Sequence, residues 1–528
     1  MESGRVMPWR WILAYVAATF FAFPQPVGDA FVLDLGLVLA PVAPALLLVA
    51  LRGLAPGRAL RVGFVAGWLA HAALLHWGYV VTVAYGHAPV IAGVLAPFGM
   101  ALYPAAFIAG FAAVAALLAK RGLANPFLLA AAWVTFEWLR SWVLTGFTWG
   151  GIGYAWHQSF SVPISLASLT GVSGLAFAAA AAGFACIAAR ARWASRLALA
   201  FVGAHLAASL VYAAFSRGET AEASSRSHPR YTRVAALQGN IDQNAKWTPE
   251  AFEETLRAYE DLTRRAAAEG AQLIAWPETA VPAPLAIPEL RDRIAALARE
   301  VRTPLIVGAI GVDFDAQGRP IAHYDSAFVF SYEGELLDRY DKTHLVPFGE
   351  YLPLRPLLGR FIRAIATGSI ANDVSAGARV RATDVPLANG ETIRVGIPIC
   401  YELIFPDLVR RFADDGAQLL VGITNDAWYG RTGSPYQFLA MTELRSAETR
   451  LPGVRAANTG VSALIGKDGH AFRQTRIFER DWVVGDVELL AAPTRTLYSR
   501  YGDWFAHACT VATVLASSFA IFRGRKQT

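Results

Sequence analysis

Apolar residues crowd two parts of the chain, 11–215 and 504–522, while the stretch between them mixes apolar and polar positions. A hydrocarbon core of about 30 Å takes roughly 20 apolar residues as a helix. Divided at its polar breaks, the apolar part predicts eight spans, at 9–24, 30–51, 62–82, 90–118, 126–146, 162–189, 195–215 and 504–522. Arg5 and Arg10 precede the first, but no small-residue cleavage signal follows it, so it reads as a retained span.

From residue 231 the pattern changes. Short β-branched runs predict strands at Arg233–Gln238, Leu273–Trp276, Leu305–Gly308, Ala327–Ser331, Leu336–Tyr340, Ile393–Ile399, Leu419–Thr424 and Val461–Ile465. Helical spacing predicts helices at 249–268, 288–301, 404–415 and 437–449. Such alternation argues for an α/β fold with a largely buried sheet. The expected organisation is a multi-span α-helical membrane domain at 1–217, a polar linker at 218–230, an α/β extramembrane domain at 231–500, and a last membrane helix at 504–523.

Composition supports this division. The chain is 55% hydrophobic and 17% charged, against about 25% charged in a typical soluble domain. The net charge of +6 does not imply nucleic acid, because no arginine-rich arm or basic–aromatic stripe is present. Lys and Arg instead mark alternate loops: Arg52, Arg58 and Arg61; Lys120 and Arg121; Arg190, Arg192 and Arg196; and Arg523, Arg525 and Lys526. The loops near 25–29, 83–89 and 147–160 carry none. The positive-inside rule then places both termini in the cytoplasm and the polar domain on the far side, which in a bacterium is the periplasm. Glu137 and Arg140 fall inside the fifth span, three residues apart on one helical face. An ion pair facing the bundle is the plain reading, and a lipid-headgroup contact the functional one.

The chain has three cysteines, and Cys186 and Cys509 lie in apolar runs. Cys400 is alone in the polar domain, directly after an expected strand, where α/β folds tend to carry their chemistry. Glu278 and Lys342 also follow expected strands. Taken singly, each has a duller reading: a loop carboxylate, a surface lysine, a small core residue. Together they supply a base, a cation for a developing oxyanion, and a nucleophile able to form a thioester. His344 is a competing base on sequence grounds.

Three motifs carry a resemblance. Trp-Pro-Glu-Thr at 276–279, Tyr-Asp-Lys-Thr-His at 340–344 continuing to Pro353, and Ile-Cys-Tyr-Glu at 399–402 resemble, in order and spacing, the nitrilase superfamily. Gln-Gly-Asn-Ile at 238–241 with Lys246-Trp247, Thr-Asn-Asp-Ala-Trp-Tyr-Gly at 424–430, and Trp-Val-Leu-Thr-Gly-Phe-Thr-Trp at 142–149 are similar to the apolipoprotein N-acyltransferases. This resemblance spans essentially the whole chain. It implies an αββα nitrilase-like sandwich in an inner-membrane protein. The implied reaction moves an acyl chain from a phospholipid to the α-amine of a diacylglyceryl-cysteine on an apolipoprotein.

By the same resemblance Glu278 is the general base, Lys342 the oxyanion-stabilising residue and Cys400 the nucleophile. Glu350, Tyr401 and Glu402 support the site, and Trp247, Trp428 and Trp149 lie near substrate. Asp325 departs from the asparagine frequent at its position, which makes any inherited hydrogen-bonding role there doubtful. No cofactor, metal or nucleic acid is expected; membrane lipids surround the chain, and a monomer is expected. A tethered amidase, a non-catalytic lipid-binding module and a transporter are the competing readings. The number of spans argues against the first, the intact trio against the second, and the lack of a charged pathway beyond Glu137 and Arg140 against the third.

Overall fold

The computed structural model describes residues 7–28, 31–157, 162–187, 230–353, 373–489 and 495–525, with isolated helical positions between 193 and 203. The seventh expected span and the linker lie almost wholly outside the described residues.

The apolar part folds into α1 (Trp9–Phe21), α2 (Gly36–Ala50), α3 (Pro56–Leu74), the short α4 (Gly78–Val80), α5 (Val90–Lys120), α6 (Pro126–Arg140), α7 (Val162–Thr170) and α8 (Val172–Ile187), with an antiparallel pair β1 (Gln25–Val27) and β2 (Phe31–Leu33) after α1. Several uniform spans expected from hydropathy are interrupted. The 30–51 run opens as strand β2, and its helix starts only where the Asp34 carboxylate accepts the Gly36 N–H. The 126–146 run stops being helical at Arg140, because Leu144, Thr145 and Gly146 all turn to positive φ. Gly171, at φ +66°, breaks the 162–189 run into α7 and α8. Among the described helices, Val90–Lys120 and the stretch Trp504–Arg523 are long and apolar enough to cross a membrane alone. α3 and the segment Gly78–Tyr85 form a further such pair, bent by 65°. An apolar run longer than a helix is thus no proof of one straight span: backbone breakers inside it decide.

The polar part contains β3 (Arg230–Gln238), α9 (Pro249–Ala268), β4 (Leu273–Ala275), β5 (Val281–Pro284), α10 (Pro288–Val301), β6 (Leu305–Phe314), β7 (Pro320–Phe330), β8 (Leu336–Asp341), β9 (Ala382–Pro386), β10 (Thr392–Gly396), α11 (Pro406–Asp414), β11 (Leu419–Thr424), α12 (Ser434–Thr449), β12 (Gly453–Ala457), β13 (Ala463–Ile465), β14 (Ala471–Gln474) and β15 (Asp481–Leu489). The short α13 (Leu497–Tyr501) then leads to α14 (Trp504–Arg525). One sheet runs β15-β3-β4-β6-β7-β8 with β5 on β6; the other runs β14-β13-β12-β11-β10-β9.

Strand alternation separates the layers. On β3, Ala235 and Leu237 pack with Leu256, Tyr259 and Leu262 of α9 and with Ile294 and Leu297 of α10. Val234 and Ala236 turn the other way, into a core shared with Val395, Val421 and Val454 of the second sheet. Val409 and Phe412 of α11 belong to that same core. The result is helix, sheet, sheet, helix. α9 begins where Thr248 accepts the Ala251 N–H and Pro249 takes the first turn, a position that needs no N–H partner.

The membrane helices and the polar domain are joined by specific contacts. Thr148 Oγ1 donates to Ile404 O at 2.7 Å, and the Tyr401 hydroxyl donates to Gly146 O at 3.2 Å. Buried His157 sits between Asp34, 2.9 Å from Nε2, and Glu443 of α12, 2.5 Å from Nδ1. Burial opposes a charge on this ring, but Glu443 and Asp34 outweigh it and push its pKa up to about 9.

Candidate active site

Glu278, Lys342 and Cys400 come from three separate strand ends and meet. Glu278 lies in the turn after β4. A Cβ on Gly308 of β6 would stand 2.1 Å from Pro277 O and 2.8 Å from the Glu278 Cα, so glycine at 308 is what lets this turn lie against β6. Lys342 follows β8 and is completely buried. Cys400 follows β10 where Ile399 still bridges Ile423 of β11. It starts a 3-10 turn (Cys400–Ile404) with φ +46°. Non-glycine residues pay for that conformation, and such strain concentrates where a side chain must be aimed.

The Lys342 ammonium contacts three carboxylates: Glu350 Oε1 at 2.5 Å, Glu278 Oε1 at 3.0 Å and Asp325 Oδ2 at 3.4 Å. Their oxygens lie within 4.8 Å of one another, a grouping that suits a cation, and the lysine's own ammonium is in contact with all three. Burial works against this ammonium, yet Glu278, Glu350, Cys400 and Asp325 hold its pKa well above the usual lysine value. It is therefore a fixed positive charge.

Glu278 is asymmetric. Its Oε1 is taken by Lys342, whereas its buried Oε2 accepts no settled hydrogen bond. The Asp325 carboxyl and the Cys400 thiol are the hydrogen-bonding groups beside it. Burial alone would raise the Glu278 pKa, but Lys342 and these neighbours keep it below the usual range, so the residue rests as carboxylate. Cys400 is pushed well above the usual thiol value, first by burial and then by the Glu278 charge, and rests as thiol. Asp325 is raised well above the usual carboxyl value by burial and by Glu278, which favours its protonated form. A carboxylate with a free lone pair beside a protonated thiol, next to a permanent cation, can take the proton as the sulfur attacks a carbonyl.

Glu402 is fully buried and holds the frame. Its Oε1 accepts from Tyr340 OH at 2.9 Å, Thr343 N at 2.7 Å and Thr343 Oγ1 at 2.7 Å; its Oε2 accepts from Ile399 N at 2.8 Å. One carboxyl thus ties the Lys342 loop to the turn carrying Cys400. Glu350 steadies Lys342 from the other side, its Oε2 accepting the Val346 N–H at 2.8 Å. Tyr401 points to the membrane part through Gly146, as described above.

His344 is not placed as a base for Cys400. Its ring packs on Phe405 and Tyr401, with centroids 4.1 and 5.7 Å away, and the groups that act on the thiol are Glu278, Lys342, Asp426 and Glu350.

The three tryptophans differ. Trp247 and Trp428 are half-exposed; Trp428 meets Tyr85 edge-on at 5.3 Å, and Trp247 lies under the Lys246 ammonium. Trp149 is buried, donating to Gln437 Oε1 at 2.8 Å and packed among Trp77, Tyr429 and Phe438 at the seam between helices and domain.

Two neighbours escaped the sequence reading as chemistry. Lys246 is buried, donates to Thr279 Oγ1 at 2.6 Å, and is lowered by burial to about 8 despite Glu278 and Asp325. Its position next to Trp247 was the available signal. Asp426, just after β11 and among the charges that act on Cys400, forms a fully buried pair at 2.8 Å with Arg455 in the middle of β12, and no local pattern links the two.

Residues 233–493 match the family described as carbon-nitrogen hydrolase, whose nitrilase-like sandwich is the fold described above. Residues 17–186 match the family described as the apolipoprotein N-acyltransferase N-terminal domain. The apolipoprotein N-acyltransferase of Geobacter metallireducens is 37% identical, over 92% of this chain and 91% of that protein. That of Methylococcus capsulatus is 35% identical, over 92% and 90%. That of Vibrio parahaemolyticus is 30% identical, over 88% and 89%.

Proposed function

Because the chain belongs to the apolipoprotein N-acyltransferase family, we propose that Cys400 accepts an acyl chain from a membrane phospholipid and passes it to the N-terminal amine of a diacylglyceryl-cysteine. The protein is a membrane-bound acyltransferase of lipoprotein maturation. The observation that supports the residue assignment is the Glu278 carboxyl, whose Oε1 accepts from the Lys342 ammonium while the Asp325 carboxyl and the Cys400 thiol are the other groups that hydrogen-bond to it.

In the first half-reaction Glu278 takes the thiol proton as sulfur bonds to the ester carbonyl carbon. The carbonyl oxygen becomes an oxyanion, and Lys342 faces it. The intermediate collapses, the bond to the glycerol oxygen breaks, and the proton on Glu278 goes to that oxygen. A lysophospholipid leaves and a thioester remains. In the second half-reaction the acceptor amine, whose pKa of about 7.7–8 leaves a useful neutral fraction near pH 7, attacks the thioester carbonyl. Glu278 takes the ammonium proton and returns it to the departing sulfur. One site serving two lipid substrates in turn gives ping-pong kinetics.

Glu350 and Glu402 position Lys342 and Cys400, and Trp247 and Trp428 border the substrate path. Membrane helices beside the site shelter the travelling chain, each CH₂ kept from water being worth about 0.8 kcal/mol. The reading includes an inner-membrane location, the catalytic domain at 231–500 on the periplasmic side, both termini in the cytoplasm, and a working monomer without nucleic acid. Incubation with phospholipid and no acceptor should add one acyl mass to the Cys400 peptide, and a diacylglyceryl peptide should then remove it. Undiminished turnover by Cys400→Ala would overturn the reading.

A further inference from the structure

A cavity of about 520 Å³ lies between the end of α6, the start of α14 and α11. Neither Glu278, Lys342 nor Cys400 lines it; Trp138, Arg140, Trp142, His344, Arg411 and Asp503 do. Arg140 is its unusual member. The residue is 3% exposed, and among the described residues no carboxylate lies within ion-pair distance of it. Its Nη1 donates to His71 Nε2 at 2.9 Å, and its Nη2 lies 3.5 Å from Thr148 O. His71 Nδ1 is 2.9 Å from Gly67 O and must donate there, so Nε2 accepts from Arg140 and the ring is neutral. Among the described residues the Arg140 Nε has no hydrogen-bond partner.

Of the carboxylates in the cavity wall, Glu137 is near enough to act on Arg140 electrostatically, but among the described residues none makes a contact pair with it. Glu137 Oε1 accepts the Ile152 N–H at 2.8 Å, three residues of helix having failed to bring it into a contact pair with Arg140. Asp407 is bound by Arg410 and Arg411, and Asp503 by Trp138 Nε1 and the Tyr498 hydroxyl. A buried guanidinium contacted only by neutral acceptors is costly, and its planar fork suits an oxyanion such as phosphate.

The surroundings say where that oxyanion would come from. Trp142 and Tyr501 are each more than half exposed around the cavity, and Trp504 is exposed at the first turn of α14. Exposed aromatic rings at the ends of apolar helices mark the headgroup level of a bilayer. Val134, Trp138 and Leu408 give the cavity an apolar side, and Arg411, largely exposed, stands among its lining residues. We propose that this cavity binds the phosphate of a membrane phospholipid headgroup on Arg140, as a second lipid site separate from the acyl group on Cys400. The His344 and Phe405 rings line this cavity and pack on each other, and Phe405 directly follows the turn that carries the nucleophile, so an occupying lipid also braces that turn.

The test uses the full chain in detergent and a dialkyl ether phosphatidylglycerol, which has no ester for Cys400 to consume, so its outcome does not depend on the acyl-transfer chemistry. Native mass spectrometry should find one tightly held ether lipid per chain. Arg140→Gln should weaken that retention at least tenfold, and Arg411→Gln severalfold. Arg411→Gln carries the test should Arg140→Gln fail to fold. A dialkyl glycerol without phosphate, and inorganic phosphate alone, should each fail to displace the bound lipid. Equal retention by both variants, or displacement by the phosphate-free lipid, would overturn the proposal; displacement by inorganic phosphate would overturn it in favour of a free-anion site.

Discussion

Glu350 holds Lys342 from one side only: its Oε1 lies 2.5 Å from the ammonium while its Oε2 accepts the Val346 N–H. The carboxylate therefore fixes both the charge balance and the direction of the lysine. Glu350→Gln keeps the shape but cannot accept from both groups with charged oxygens. Its kcat/KM should fall by about 10- to 100-fold, less than the 10²–10³ typical of removing an oxyanion donor outright. Thermal stability in detergent should change little. A variant with wild-type kcat/KM would show that Lys342 needs no such support.

Asp325 is expected to work as a neutral acid. Its pKa lies well above the ordinary carboxyl value because of burial and the adjacent Glu278. Asp325→Asn preserves a neutral donor and should retain most activity. As pH rises, the wild type eventually ionises Asp325 and places a second negative charge beside Glu278; the asparagine variant cannot. Its pH–rate profile should therefore lack that alkaline decline. Superimposable profiles would exclude the assignment.

Gly308 should be intolerant of even one methyl group. The added Cβ would meet the backbone oxygen of Pro277 at 2.1 Å, and backbone cannot rotate away as a side chain can. Gly308→Ala must displace the Glu278 turn. A shift of 1 Å at a reacting group can cost about 10²-fold in rate, and assays of kcat against KM should place the loss in kcat.

His157 predicts a pH-dependent seam. Its pKa is about 9 in the fold against an ordinary value of 6.5. A raised folded pKa means that its contribution is fully present below pH 6.5 and fades as pH climbs through 9. His157→Gln should lower the melting temperature clearly at pH 6, by the equivalent of a few kcal/mol, and by progressively less towards pH 9. A constant difference across that window would contradict a charged His157.

Local patterns carried the soluble helices and singled out the three candidate residues that the structure brings together. The two helices at Pro249–Ala268 and Pro288–Val301 coincide with their expected ranges, because each has one apolar face and a proline at its start. Glu278, Lys342 and Cys400 were legible because each sits in a short motif at a strand end. Strand β12 was not: all five of its residues are buried, and one is Arg455, whose partner Asp426 is far from it in sequence. β14 escaped for the opposite reason, its Phe472, Arg473 and Gln474 being exposed on a sheet edge. Hydropathy registers neither Gly171 nor the positive φ of Leu144, so it does not show where the helices inside the apolar runs break. The Arg140 cavity joins α6, α11 and α14, and no window of sequence contains all three.

The core that holds the second sheet does not stop at the polar domain. Val395, Val421 and Phe438 share one continuous cluster with Trp77, Trp149, Leu175 and Phe184 of the apolar helices. Cutting the chain after its membrane part would strip one wall from that cluster and expose Phe438 and Tyr429. The catalytic half is accordingly not a portable cassette. A fragment starting near residue 230 should aggregate when expressed alone, and chimeras should succeed only when the membrane half and the catalytic half are exchanged together.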